Sequence, residues 1–496
     1  MPGMFYGLEI ARRGLNVNKQ AMQLTGHNVA NAGNEGYTRQ RLVIESLYPS
    51  TKTRLGRTLT VGSGADVTQI DQVRSQYIDR QLRNEYAALG QWDKRSEEMQ
   101  FIETIFNETA ESGSISTALA EFYDSLGKLT TEAGSEEVRT VVQQNGIKLC
   151  ETFNYYYNQL VELQKSYNEA MSVTVDKING LLSSIADYNG QIMGYELGGQ
   201  KANELKDSRN MLLDELSQLV NISYSEDSSG RLSVSVDGTV LIDHATTTLL
   251  EVAPDQTGIV SGEPNFYSIY YEGTTTDFAY SGGELKAYSD LRDGNATSDM
   301  GVPYLLNRLN TLARGLAQEF NTVHETGYTI PIGAGASLTG IDFFELPAGG
   351  YGDITAGNLS LSAEVLANVR NIAASDAPVD FTAADTQAGN NVIALQMYAL
   401  TTSTTLGTVG SFADYLKSFV VEVGVTSSGA QERAGSQNTI IGNLETRRES
   451  ISGVSVDEEM INLISYQYAY SAASRVLTAV DEALDVLINR TGVVGR

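Results

Sequence analysis

Both ends of the chain carry a narrow apolar seam with coiled-coil spacing. Met4, Leu8, Ala11, Leu15, Asn18, Met22, Thr25 and Val29 follow one another in alternating steps of four and three. Leu463, Tyr466, Tyr470, Ala473, Leu477, Val480, Leu484 and Leu487 repeat that alternation near the other terminus. A stripe this narrow needs a partner helix. The economical reading pairs the first and last segments with each other or with copies of themselves, so that everything between them is carried outward as an insertion. That is the plan of a polymer subunit. The Asn18 position is either a buried polar residue that sets helix register or a solvent position.

Charge supports the pairing. Residues 1–60 hold eight Lys or Arg against three acids, whereas residues 450–496 hold three Arg against six acids, so the two termini are complementary. The whole chain, at −27, repels rather than attracts a phosphate backbone. No nucleic-acid partner is expected. No run reaches the roughly 18 apolar residues of a membrane span, and no secretory signal is legible at the start. Neither a membrane partner nor a cleavable export signal is expected.

Between the seams, a break rich in Gly and Asn covers Asn28 to Tyr37, followed by alternation through Leu42, Ile44 and Leu47 that suits extended chain. Helix is expected to resume near Asp71. From there to about Val220 there is no proline, and apolar residues recur at helical spacing, as in Ile178, Leu181, Leu182 and Ile185. The period then changes to two at Leu232, Val234 and Val236, with Asp237-Gly238 as a hairpin turn. Helix returns over Tyr304–Glu325, with Leu305, Leu309, Leu312, Leu316 and Phe320 on one face. It returns again over Val392–Leu400 and Phe412–Arg448. Ser452-Gly453 breaks the path, and Ser455 with Glu458 forms a capping box for the last helix.

At 496 residues there is room for about three domains. The expected fold is mainly α with β excursions, an α+β rod of nested domains. A terminal coiled-coil domain is expected from residues 1–60 with 450–496, disordered in the monomer and ordered on assembly. Residues 61–220, 281–326 and 389–449 form a helical bundle, 221–280 a small β unit, and 327–388 a β-rich or irregular outer insertion.

Residue types that announce enzymes are scarce. His27, His244 and His324 are scattered, with no paired spacing for a metal, and neither a phosphate loop nor a Ser-centred elbow occurs. Cys150 sits in a helical pattern and reads as a core thiol. No catalytic residue, cofactor or metal is assigned.

Two separated motifs carry a resemblance. Ala30-Asn31-Ala32-Gly33-Asn34-Glu35-Gly36-Tyr37-Thr38-Arg39-Gln40 resembles the amino-terminal signature ANxxTxGYxRQ of bacterial flagellar rod, hook and hook-associated proteins, with Asn34 where that family has Thr. Ser452-Gly453-Val454-Ser455-Val456-Asp457-Glu458-Glu459-Met460 resembles its carboxy-terminal signature. In the middle, Leu205-Lys206-Asp207-Ser208-Arg209-Asn210, Gly282-Gly283-Glu284-Leu285 and Phe320-Asn321-Thr322-Val323-His324 are similar to the hook-associated protein 1 family.

What the resemblance implies is a non-enzymatic subunit at the junction of hook and filament, active in flagellum assembly and motility. It would be secreted through the type III flagellar export channel and reside in the extracellular flagellum. The implied partners are copies of itself in a ring at the hook tip, hook protein on one side and a second junction hook-associated protein on the filament side. An export chaperone is expected at the last helix. A hook subunit or another axial protein is the nearest alternative, and a surface adhesin the more distant one.

Overall fold

Apolar residues every three or four positions make the body of this chain helical, and the computed structural model describes residues 3–47, 50–54, 57–106, 113–227, 230–254, 266–333, 335–382, 387–403 and 410–490. The fold is mainly α with small β excursions. It starts with α1 (Gly3–Asn31) and a ribbon of four strands, β1 (Gln40–Ser46), β2 (Ser50–Arg54), β3 (Arg57–Val61) and β4 (Ala65–Gln72). The pairs are antiparallel, β1 with β4 and β2 with β3. The ribbon lies along α1: the Tyr6 and Ser63 hydroxyls are 2.9 Å apart, and Gly64 packs over Ile10 and Arg13. Helix was expected near Asp71. That residue instead pairs with Arg41 in the ribbon, and the next helix starts at Gln76.

The long helical stretch divides into α2 (Gln76–Ile105), α3 (Ile115–Thr131), α4 (Glu136–Glu196) and α5 (Asn203–Leu219). Ser114 and Ser135 cap α3 and α4 by accepting from Thr117 N and Val138 N. The 61 residues of α4 reach about 90 Å at 1.5 Å per residue. Along it Val142, Leu149, Phe153, Leu160, Tyr167, Val175, Ile178, Leu182 and Ile185 are buried, so it serves as the spine.

At its far end sits a sheet of β5 (Ile222–Glu226), β6 (Leu232–Val236), β7 (Thr239–Asp243) and β8 (Thr246–Thr247), with a separate pair β9 (Leu250–Pro254) and β10 (Tyr267–Tyr271). Asp237 and Gly238 both have positive φ, 43° and 87°. This is the turn whose twist suits a two-residue hairpin.

Then come α6 (Glu284–Asp293) and α7 (Val302–His324). Residues 327–388 contain α8 (Ala363–Ala367), two short 3-10 turns and the isolated bridges Tyr328↔Ser375 and Phe344↔Leu361. Phe343 and Phe344 of this segment are fully buried, their rings against Phe122 and Phe320. The chain closes with α9 (Val392–Ala399), α10 (Phe412–Ser452) and α11 (Val456–Asp485).

One large core joins α3, α4, α7, α9, the first half of α10 and the sheet. A second, smaller one joins Ile78, Leu82 and Tyr86 of α2 to Ile441 of α10. Asp214 of α5 ties this narrow part together, pairing with Arg83 of α2 at 2.7 Å and Arg448 of α10 at 2.9 Å. The body thus tapers toward the terminal helices.

Candidate interface: the terminal helix pair and its joint

α1 and α11 pair antiparallel. A Cβ built on Gly7 would lie 3.9 Å from Val480, and one on Gly14 4.0 Å from Ala473. Asn28 bonds Glu459 at 3.2 Å. Each advance of seven on α1 meets a retreat of seven on α11, which sets Ala21 opposite Tyr466. Small residues on α1 let the backbones approach, and larger ones on α11 fill the seam.

Leu463, Tyr466, Tyr470, Ala473, Leu477, Val480, Leu484 and Leu487 all lie half-buried on the paired face. On α1, Ala11 and Thr25 are buried and Leu8, Leu15, Asn18, Met22 and Val29 half-buried. The side chain of Met4 lies outside the described residues. The line of closest approach runs one residue off the expected α1 seam, through Gly7 and Gly14, which carry no hydropathy signal. Asn18 donates to Gly14 O of its own helix at 2.7 Å and so does not bridge to α11.

Pairing leaves a second apolar stripe. Ile461, Ile464, Tyr468 and Val486 project from the side of α11 away from the seam, with Ile461 67% and Tyr468 74% exposed. The seam is therefore not the whole of the apolar surface of α11. Its only buried residue is Glu459.

Both signature motifs converge where the pair meets the body. Asn34 Nδ2 donates to Asn31 Oδ1 at 2.7 Å and Asn31 Nδ2 to His27 O at 2.9 Å, so Asn34 closes the turn with its amide. Gly36 then adopts φ +77°, and a Cβ there would come within 2.7 Å of Met211 Cγ. The turn delivers Tyr37, whose hydroxyl donates to Asn28 Oδ1 at 2.8 Å. Burial pushes that phenol up, and Glu204, Asp207 and Glu459 nearby push it further, so it stays a donor. Asn28 Oδ1 also accepts from Gln40 N, while its Nδ2 donates to Gln40 O and to Glu459.

Arg39 crosses to the other signature. Its amide donates to Ser452 O at 2.8 Å, and its guanidinium lies 3.1 Å from Glu459 and 3.4 Å from Glu458. Ser455 caps α11 by accepting from Glu458 N, and Gly453 ends α10. Ala30 and Asp457 are exposed, and Val454 is half-buried. The complementary charges of the two termini thus meet at this joint.

The body side is held by residues that the sequence did not single out for it. Asp207 of α5 accepts from Thr38 N at 3.0 Å, Thr38 Oγ1 at 2.6 Å and Gln72 Nε2 at 2.8 Å. Arg74 joins Asp79 at 2.6 Å and reaches Asp207 at 3.7 Å. Burial pushes the Asp207 carboxyl up, opposed by these donors. Gln40 Nε2 donates to Glu204. Asp207 stands inside the Leu205–Asn210 stretch, which was the only available sign. The arrangement orients two helices on a body.

The "Flagellar hook-associated protein FlgK helical domain" family matches residues 99–344, and the "Flagellar basal body rod FlgEFG protein C-terminal" family matches residues 448–490. Flagellar hook-associated protein 1 of Bacillus subtilis is 31% identical, with all of both chains covered. The chain belongs to the flagellar hook-associated protein 1 family.

Flagellar hook-associated protein 1 of Escherichia coli is 23% identical, covering 97% of this chain and 98% of its own length. The solved structure of the flagellar hook junction protein FlgK from Burkholderia pseudomallei shares the fold, with a TM-score of 0.60 at 15% identity. It covers 75% of this chain and 100% of that one. Membership makes the chain a structural component of the flagellum. Among the described residues no helix is long and apolar enough to cross a membrane.

Proposed function

We propose that the chain is a non-enzymatic subunit seated between hook and filament, and that it assembles with copies of itself through the terminal helix pair. The observation that carries this reading is the apolar stripe of Ile461, Ile464 and Tyr468, left open on a helix whose opposite face is already used inside the chain. Fully burying a Leu- or Ile-sized side chain contributes roughly 1.5–3 kcal/mol. A helix pair without that burial is marginal against the ordering cost of roughly 1–2 kcal/mol per residue. Neighbouring subunits supply the missing cover, and the segments 1–60 and 450–496 order fully on assembly.

In this reading the seam residues build the inner tube. The helical bundle of 61–220, 281–326 and 389–449 makes lateral contacts, and the regions 221–280 and 327–388 lie outermost. The signature residues Ala30, Asn31, Gly36, Tyr37, Arg39, Gln40, Ser452, Gly453, Val454, Asp457, Glu458 and Glu459 set the angle between the pair and the body. Hook protein meets the ring on one side and a second hook-associated protein on the other. A chaperone covers the α11 seam from Leu463 to Leu487 before the chain leaves through the flagellar export channel.

Deleting the gene in the native bacterium, then imaging the cells and assaying flagellin in the medium, tests the junction. The expected result is intact hooks without filaments and flagellin lost to the medium. Missing hooks would assign the chain to the hook or rod instead, and normal flagella would overturn the structural role.

A further inference from the structure

We infer that Asn28 and Glu459, held by Arg39, are the positioning residues that fix the register in which the two terminal helices pair. The rest of the seam is nearly indifferent to a slide of seven residues. In the observed register Gly7 meets Val480, Gly14 meets Ala473 and Ala21 faces Tyr466. Moving α11 by one heptad, about 10.5 Å along the axis, sets Gly7 on Leu487, Gly14 on Val480 and Ala21 on Ala473. Every small residue still meets an apolar one. Hydrophobic burial therefore discriminates little between the two registers.

The bottom step discriminates strongly. Asn28 is buried with its bonding capacity filled: Oδ1 accepts from Tyr37 and Gln40, and Nδ2 donates to Gln40 O and Glu459. Glu459 is buried too, with Asn28 at 3.2 Å and Arg39 at 3.1 Å. A slide in one direction puts Tyr466 against Asn28 and parts Glu459 from both partners. A slide in the other buries the Glu459 carboxylate against Ala21, with no donor. A buried polar group left unpaired is penalised far more than the pair is rewarded, and a single buried polar contact in an apolar seam is a known register device. The inference concerns the single chain and stands apart from the junction reading. Its consequence, that the far end of α11 sits at one fixed height above the body, matters to a lattice only if that reading holds.

Cysteine pairs in the full chain test it, in a Cys150→Ala background because Cys150 is the native thiol. Gly14→Cys with Ala473→Cys reports the observed register, since the 4.0 Å between their Cβ positions suits a disulfide. Gly14→Cys with Val480→Cys reports the slid one. With Asn28 and Glu459 intact, only the first pair should oxidise within the chain. Adding Asn28→Leu and Glu459→Leu, which leaves an apolar seam able to fold, should raise cross-linking of the second pair roughly tenfold or more at the expense of the first. Helix content by circular dichroism checks that the fold survives. Unchanged cross-linking of the first pair with none of the second would overturn the inference, because the register would then be set elsewhere. Failure of the first pair with the polar residues in place would overturn the register itself.

Discussion

Gly36→Ala should loosen the joint without disturbing the body. The backbone at Gly36 lies at φ +77°, where an L side chain costs about 1–2 kcal/mol. The new Cβ would also fall 2.7 Å from Met211 Cγ. Met211 is 42% exposed and can swing outward, losing about 1 kcal/mol of packing, roughly half of a full burial. Together these give about 2–3 kcal/mol, or a roughly 30- to 160-fold rise in the open joint. Amide hydrogen exchange reads it. The Arg39 amide, which donates to Ser452 O at 2.8 Å, should exchange faster by that factor while amides of α4 and α7 hold their rates. Adding Met211→Ala should cost little more, because the packing it removes is already lost in Gly36→Ala, so the two effects are non-additive. Gly36→Pro, whose ring imposes φ near −65°, should impair assembly more than solubility. If Arg39 keeps its protection in Gly36→Ala, the turn does not hold the joint and the reasoning fails.

His324 is fully buried, with Nδ1 2.6 Å from Ile341 O and Nε2 accepting from Ala373 N, which fixes a neutral ring with the proton on Nδ1. Burial lowers its pKa from 6.5 to about 4. The unfolded chain therefore binds the proton first, so this contribution is complete above pH 6.5 and is lost as pH falls toward 4. The loss amounts to about 3 kcal/mol. Urea unfolding at a series of pH values should show that slope in the native chain and a flatter one in His324→Asn. Gly90→Ala should destabilise by about 2 kcal/mol, through overpacking where the new Cβ meets the Gln218 carbonyl carbon at 2.9 Å. Gly435→Ala, with no atom within 4 Å, should instead stabilise α10 by about 0.5–1 kcal/mol in the same assay.

The body helices were legible because their cores are periodic along the chain itself. Leu305, Leu309, Leu312, Leu316 and Phe320 needed only a partner of any kind, and α7 buries them all. Asp237-Gly238 was legible because the turn chemistry is local. Strand β4 was not: Asp71, Gln69 and Ala65 have no strand character of their own, and pairing with β1 decides the matter. The joint was half legible. Its two motifs stand out by resemblance, but Thr38 and Asp207 are separated by 169 positions, and no spacing rule links them. On α1 the closest approach runs through glycines, which a hydropathy pattern passes over, so the expected seam was displaced by one residue. The heptad spacing points to Asn18 for register, whereas Asn28 is a polar residue of α1 that bonds to α11. The stripe of Ile461, Ile464 and Tyr468 was masked by the stricter seam on the same helix.

The most direct test of assembly through that stripe is to express Ile464→Asp with Tyr468→Asp in the deletion strain and count filaments by electron microscopy. Both side chains are exposed in the single chain, so the variant should fold, keep its helix content and reach the medium. The account predicts hooks without filaments, as in the deletion. Filaments at the wild-type number would show that neighbouring subunits do not cover this face, and would contradict it.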